Sequence, residues 1–157
     1  MGKSFTHTAR IEMQAEDVKS ALISFRTPST WPDWNRGAKS MLATNAETLD
    51  EGDRIAVHQM IKGGLIEVRW LVNSIREGNG FCEIELLGQG QSRNERPIGS
   101  GLKNLRICIT FLTEDNGGIE VHSSCDVSRL MSLFANRINA FMKTQTQQLL
   151  EDLSSIN

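Results

Sequence analysis

Three histidines, three cysteines, one serine on an apolar strand face and one glutamine on an apolar helical stripe are the side chains that chemistry would recruit first. His7 falls in the alternation Phe5, His7, Ala9, Ile11, Met13, opposite Thr6, Thr8, Arg10 and Glu12, so it belongs to an inward-facing row. A neutral imidazole there can act as a general base or orient a ligand carbonyl, and it suits a hydrogen-bonded structural residue equally well. His58 and His122 alternate towards the polar sides of their segments. No HxxxH or HxH spacing links the three, so no metal and no other cofactor is expected. Ser123 shares a face with Val121 and Cys125, where its hydroxyl can meet a ligand or simply make room for a helix. Gln145 interrupts an apolar stripe between Phe141 and Leu149, with Asn139 on its shoulder. Asp33 sits between Trp31 and Trp34 as an acid at an entrance or as a turn-capping residue. Nothing resembles a nucleophile elbow or a phosphate loop, and tyrosine is absent. No catalytic set assembles, and the residues leave open whether the chain is an enzyme.

Cys82, Cys108 and Cys125 contain no CxxC pair, and their odd number argues against a disulfide framework. Each lies in a strand-like stretch, where a free thiol behaves as a small hydrophobe. A reducing cytoplasm fits that usage. The 157 residues imply one domain over 1–157, large enough to need no staple. A net charge of −2 gives no general reason for nucleic-acid binding, and the apolar runs are too short for stable membrane insertion. The opening MGKSFTHTAR has no apolar secretory core, although Gly2 and Thr6 match a short myristoylation pattern. Oligomeric state is not readable.

The elements that position these residues follow from periodicity. The first strand leads into Val18, Leu22 and Phe25, an amphipathic helix with Glu16 and Asp17 in its first turn and Pro28 beyond its end. STWPDWNRG comes next, with two tryptophans three residues apart among turn formers. Strand signals then recur over 39–45, 54–60, 65–75, 81–87, 102–112 and 118–127, most of them separated by short turns. Ile66, Val68, Trp70 and Val72 share one face, as do Leu105, Ile107, Ile109 and Phe111. The segment 88–101, with its glycines, Arg93 and Arg96, reads as a long irregular connection: a mobile hairpin tip or a lid. From Leu130 to Ile156 no Gly or Pro interrupts a 3.6-residue apolar pattern, so one helix of about 40 Å is expected, capped by Asp126 or Ser128. Leu133, Phe134, Ile138 and Phe141 belong to its stripe, which must lie on the apolar side of the sheet.

This order, and in particular the words AEDVKSALISF, STWPDWN, EGDRIAVHQM and IEVRWLV followed by the closing helix, resembles the START-related helix-grip superfamily (SRPBCC) over nearly the whole chain. The likeness is greatest to its polyketide cyclase/dehydrase and lipid-transport branch. The resemblance implies an α+β fold: a curved antiparallel sheet of about seven strands wrapped on a long C-terminal helix, with short helices after the first strand. It further implies a cavity between sheet and helix for a small hydrophobic or amphipathic molecule. On that reading His7, Trp31, Trp34, Val68, Trp70, Ile107, Ile109, Val121, Ser123, Phe134, Ile138, Phe141 and Gln145 are the ligand-binding candidates. The alternatives are a cyclase/dehydratase-type enzyme, with His7, Asp33 or Gln145 assisting proton transfer, and a protein–protein module without a small ligand. Shared fold does not choose among them.

Overall fold

In the computed structural model, which describes residues 2–61, 63–98 and 102–156 (side chains of residues 61, 97 and 98 excepted), the alternating segments zip into one antiparallel sheet. The order is β1 (Lys3–Glu12), α1 (Ala15–Phe25), a 3₁₀ turn (Pro28–Thr30), α2 (Trp31–Trp34), β2 (Ser40–Ala43), β3 (Arg54–Ile61), β4 (Gly64–Gly78), β5 (Phe81–Arg93), β6 (Arg96–Ile98), β7 (Leu102–Leu112), β8 (Gly118–Val127), a second 3₁₀ turn (Leu130–Phe134) and α3 (Ala135–Ser154). The strands lie in the order β1-β8-β7-β5-β4-β3-β2, with the short β6 paired to β5. The first strand therefore closes against the last, pairing Phe5 with Cys125, His7 with Ser123 and Ala9 with Val121. Because antiparallel partners point to the same side, this register gathers every inward row onto one face.

That face carries the core. Ile55, Val57, Val72, Ile84, Leu86, Ile109, Phe111 and Val121 pack with Val18 and Phe25 of α1 and with Leu150 and Leu153 of α3. A smaller cluster of Cys125, Val127 and Met142, joined by Phe5, Met131 and Ile138, lies under the beginning of α3.

Two expectations are corrected. Most of the segment 88–98 is strand: β5 runs on to Arg93, turns at Asn94 and Glu95, and returns as β6, so no irregular lid exists there. The pairing with β4 skips between Arg69 and Trp70, and Gln89 is the extra residue taken up by this bulge. The glycines at 88 and 90 thus mark a bulge rather than a loop, a use of strand glycine that composition alone does not separate from a turn. Gly99, Ser100 and Gly101 lie outside the described residues. At the tip, Asn94 and Glu95 both have positive φ, 48° and 69°. Asn tolerates this and Glu does not, so Glu95→Gly is expected to raise stability by about 1 kcal/mol, read as a higher urea midpoint.

The second correction concerns the final helix. The α-helix begins only at Ala135, and Leu130–Phe134 winds as 3₁₀. At three residues per turn this segment falls out of step with the α-helical stripe that follows. Met131 turns inward while Leu130, Leu133 and Phe134 are exposed. Ser128, not Asp126, meets the helix start, its Oγ accepting from the Met131 amide at 3.4 Å. Asp126 instead accepts from Ser4 and Asn104 across the strands.

Candidate functional site

The inward face and α3 are pinned together by two polar contacts. The Asn139 carbonyl oxygen accepts from His7 Nε2 at 2.6 Å, which places the ring proton on that nitrogen. Ser123 Oγ lies 2.5 Å from Thr146 Oγ1, and Thr146 in turn donates to the Met142 carbonyl at 2.7 Å. Thr146 has spent its hydrogen, so Ser123 is the donor of the pair. Both sequence candidates are thereby engaged with the helix. Among the described residues, no buried side-chain nitrogen or oxygen lacks a partner.

The tryptophan loop forms a second joint. Trp31 is 4% exposed, and its indole N–H donates to the Phe25 carbonyl at 2.8 Å. Phe25 stacks at an angle on Trp31 (5.0 Å between centroids) and on Phe111 (5.8 Å), and Trp34 lies 5.5 Å from Trp31. Trp34 is half-buried, with its N–H on Thr30 Oγ1 at 3.2 Å. Just beyond, Arg36 Nε donates to Asp152 Oδ1 at 2.6 Å, and the Arg36 amide donates to Oδ2 at 3.3 Å. The Asp152 carboxylate is almost wholly buried, while Arg36 stays exposed and reaches Glu151 as well. Bonds to Asp152 and then Glu151 hold the Arg36 guanidinium above its ordinary pKa. Neither partner carried a sequence signal, because the two are 116 residues apart and each occurs among other charges.

The remaining candidates separate by depth. Ile109 and Val121 are fully buried and belong to the core. Val68, Trp70, Ile107 and Ile138 are half-buried. Phe134, Phe141 and Gln145 are exposed, contrary to the expectation that the inward stripe contains them. The stripe that α3 buries runs through Ala135, Met142, Thr146, Leu150 and Leu153. Thr146 takes the inward polar place, and residues one position earlier lie about 100° round the helix. Phe141, Gln145 and Asp152 therefore share one flank, and Asp152 shows that this flank turns towards Arg36 and the tryptophan loop.

What the fold leaves half-open is one region of the inward face. Val68 and Trp70 on β4 and Ile107 on β7 are less buried than Val72, Ile84 and Ile109 nearby. Trp34, Met41 and Leu149 are likewise only partly covered. Two shallow hollows among the described residues border this region, one reaching Ile55 and Trp70 and the other Trp34. One of about 350 Å³ involves Leu42, Arg54, Ala56, Arg69 and Gln89, and one of about 320 Å³ lies around Pro32, Asp33, Trp34 and Arg36.

The outer face is polar, as the alternation predicts. His58 Nε2 lies 3.1 Å from Glu67 Oε1 and its Nδ1 lies 3.2 Å from Ser40 Oγ, while Arg69 donates to Glu67 and to Ser92. His122 Nδ1 lies 2.7 Å from Thr8 Oγ1. No group of His, Cys, Asp or Glu among the described residues has metal-binding geometry, and no described helix is long and apolar enough to cross a membrane.

No family model and no curated protein matches the chain. Solved structures do match. A START superfamily protein from Mycobacterium smegmatis is 12% identical, with 96% of this chain and 94% of that chain covered and a TM-score of 0.61. The major latex-like protein 151 from Panax ginseng is 13% identical, with 99% and 97% covered and a TM-score of 0.64. A point mutant of norcoclaurine synthase from Thalictrum flavum, solved with a transition state analogue, is 12% identical, with 98% and 92% covered and a TM-score of 0.64. At these identities the likeness is one of architecture. The chain has the START-related helix-grip fold.

Proposed function

We propose that the chain binds a small apolar or amphipathic molecule between the inward face of the sheet and α3. The observation that carries this reading is the half-buried apolar set Val68, Trp70 and Ile107, left uncovered beside a densely filled core. Apolar surface of this kind gains free energy when a ligand covers it. Trp34, Met41 and Leu149 extend the set, and Phe141 with Gln145 stands on the adjoining flank of α3 as a rim. The norcoclaurine synthase point mutant of similar fold was solved in complex with a transition state analogue, which supports a bound molecule as the occupant here. Because His7 and Ser123 are tied to α3, recognition rests on shape and apolar area rather than on proton transfer. The three free thiols suit a reducing compartment such as the cytoplasm.

A neutral fluorescent probe, N-phenyl-1-naphthylamine, tests the reading. Titration is expected to show saturable binding. Val68→Glu is expected to weaken it by about tenfold or more, because a carboxylate would have to be desolvated. Leu42→Ser, on the outer face, should leave the titration unchanged. Absence of saturable binding to the unsubstituted protein, or equal affinity in the Val68 variant, would refute the proposal.

A further inference from the structure

The 3₁₀ turn before α3 presents a surface that the ligand site does not use. In a 3₁₀ segment residues three apart eclipse one another, so Leu130 and Leu133 project side by side, 83% and 88% exposed, with Phe134 beside them at 47%. Unlike Ile23 or Leu42, which are exposed singly, these three large apolar side chains stand together on one turn, and a contiguous apolar patch marks an interaction surface.

Their surroundings are cationic. From Val127 to Leu150 the chain carries Arg129, Arg137 and Lys143 and no carboxylate, and all three cations are exposed. The sheet register brings Lys3 opposite Val127 and Lys103 opposite Asp126, adding two exposed cations where the turn leaves the sheet. At this end of the register the acidic residue is Asp126, whose oxygens accept from Ser4 and Asn104. The turns at the opposite end of the strands instead hold Asp50, Glu51, Asp53, Glu114 and Asp115. A net charge of −2 therefore conceals a molecule with one basic, apolar end and one acidic end.

We infer that this end docks on the surface of an anionic phospholipid bilayer, with Leu130, Leu133 and Phe134 entering the headgroup–acyl boundary and Arg129, Arg137, Lys3 and Lys103 meeting the lipid phosphates. Apolar prongs supply burial, cations supply attraction to anionic lipid, and the acidic end points away from the membrane. This is peripheral docking by a turn, not a spanning helix.

Vesicle co-sedimentation tests it, with mixed phosphatidylcholine–phosphatidylglycerol vesicles beside pure phosphatidylcholine vesicles. The protein is expected to sediment with the mixed vesicles, to be released by added salt, and to bind pure phosphatidylcholine far less. Arg129→Ala with Arg137→Ala should weaken retention by about fivefold for each charge removed. Leu130→Ser with Leu133→Ser should weaken it by about tenfold or more. These positions are exposed, so thermal unfolding should stay near that of the unsubstituted protein, and the salt titration needs no variant. No retention on mixed vesicles, equal retention on both compositions, or retention indifferent to all four substitutions would overturn the inference. So would light scattering that shows a dimer dissociated by the leucine substitutions, which would assign the patch to a second copy of the chain. The inference is independent of the ligand site: the Val68→Glu protein is expected to keep vesicle binding, and the leucine variant to keep probe binding.

Discussion

Replacing Phe25 with alanine is expected to lower the unfolding free energy by about 3–5 kcal/mol, the range for deleting a buried aromatic ring. Phe25 is 1% exposed at the end of α1 and touches Trp31, Trp34 and Phe111 at once. Its ring joins helix, tryptophan loop and sheet, and its carbonyl accepts the Trp31 indole hydrogen. Few neighbours can move into the space, because Trp31 is fixed by that bond and Phe111 by its strand. A loss of this size is a large share of the stability of an ordinary domain. Urea denaturation with an unchanged slope would measure it, and Ile23→Ala, 67% exposed on the same helix, should change little. A Phe25 effect below about 1 kcal/mol would mean that the aromatic joint does not hold the loop to the sheet.

The second large effect is chemical. Burial first, then the neighbouring Glu83 and Glu85, pushes the Cys108 thiol up from 9.0 to about 11. At pH 8 the thiolate fraction then falls from roughly one in ten to roughly one in a thousand, so alkylation of native Cys108 is expected to be about a hundredfold slower than in the unfolded chain. Burial raises Cys82 and Cys125 in the same direction. The sign for stability follows. A thiol whose folded pKa is raised favours folding while it stays protonated, and that advantage is present in full below about pH 9. It is lost as pH rises towards the folded value of about 11 for Cys108. Disulfide-exchange kinetics with a chromogenic reagent, native against denatured, would read the rate directly. One equivalent reacting at the unfolded rate would contradict the burial of these thiols.

The sheet was legible because period-two alternation survives translation into a fold: Val68 and Trp70, Ile107 and Ile109, Val121 and Ser123 all face inward as their spacing requires. What spacing did not reveal was depth. Ile109 is buried and Ile107 only half so on the same strand, and the difference is set by what α1 and α3 happen to cover. The error at Gln145 is one of phase. A stripe read over Leu130–Ile156 as a single α-helix includes a 3₁₀ turn that winds differently, and averaging over both assigns Phe141 and Gln145 to a side that Met142 and Thr146 occupy. Gly88 and Gly90 misled for another reason, since a bulge and a loop use glycine alike. The Arg36–Asp152 contact was beyond any local pattern. The tryptophan pair answered by division: Trp31 is core, and Trp34 stands at its edge.

The two ends of α3 are anchored unequally, and that asymmetry gives the helix a preferred way to move. Its last turns hold Leu150 and Leu153 in the main core and are latched to Arg36 through Asp152. The turns before them rest on the small Cys125–Met142 cluster, on His7–Asn139 and, past the middle of the helix, on Ser123–Thr146. The helix is thus a lever with its fulcrum at the C-terminal end. Tilting it away from the sheet breaks two side-chain hydrogen bonds and parts the smaller cluster while the main core stays shut. A helix held in this way is expected to lift first at the end that carries Leu130 and Leu133, read as faster amide exchange there than around Leu150 and Leu153.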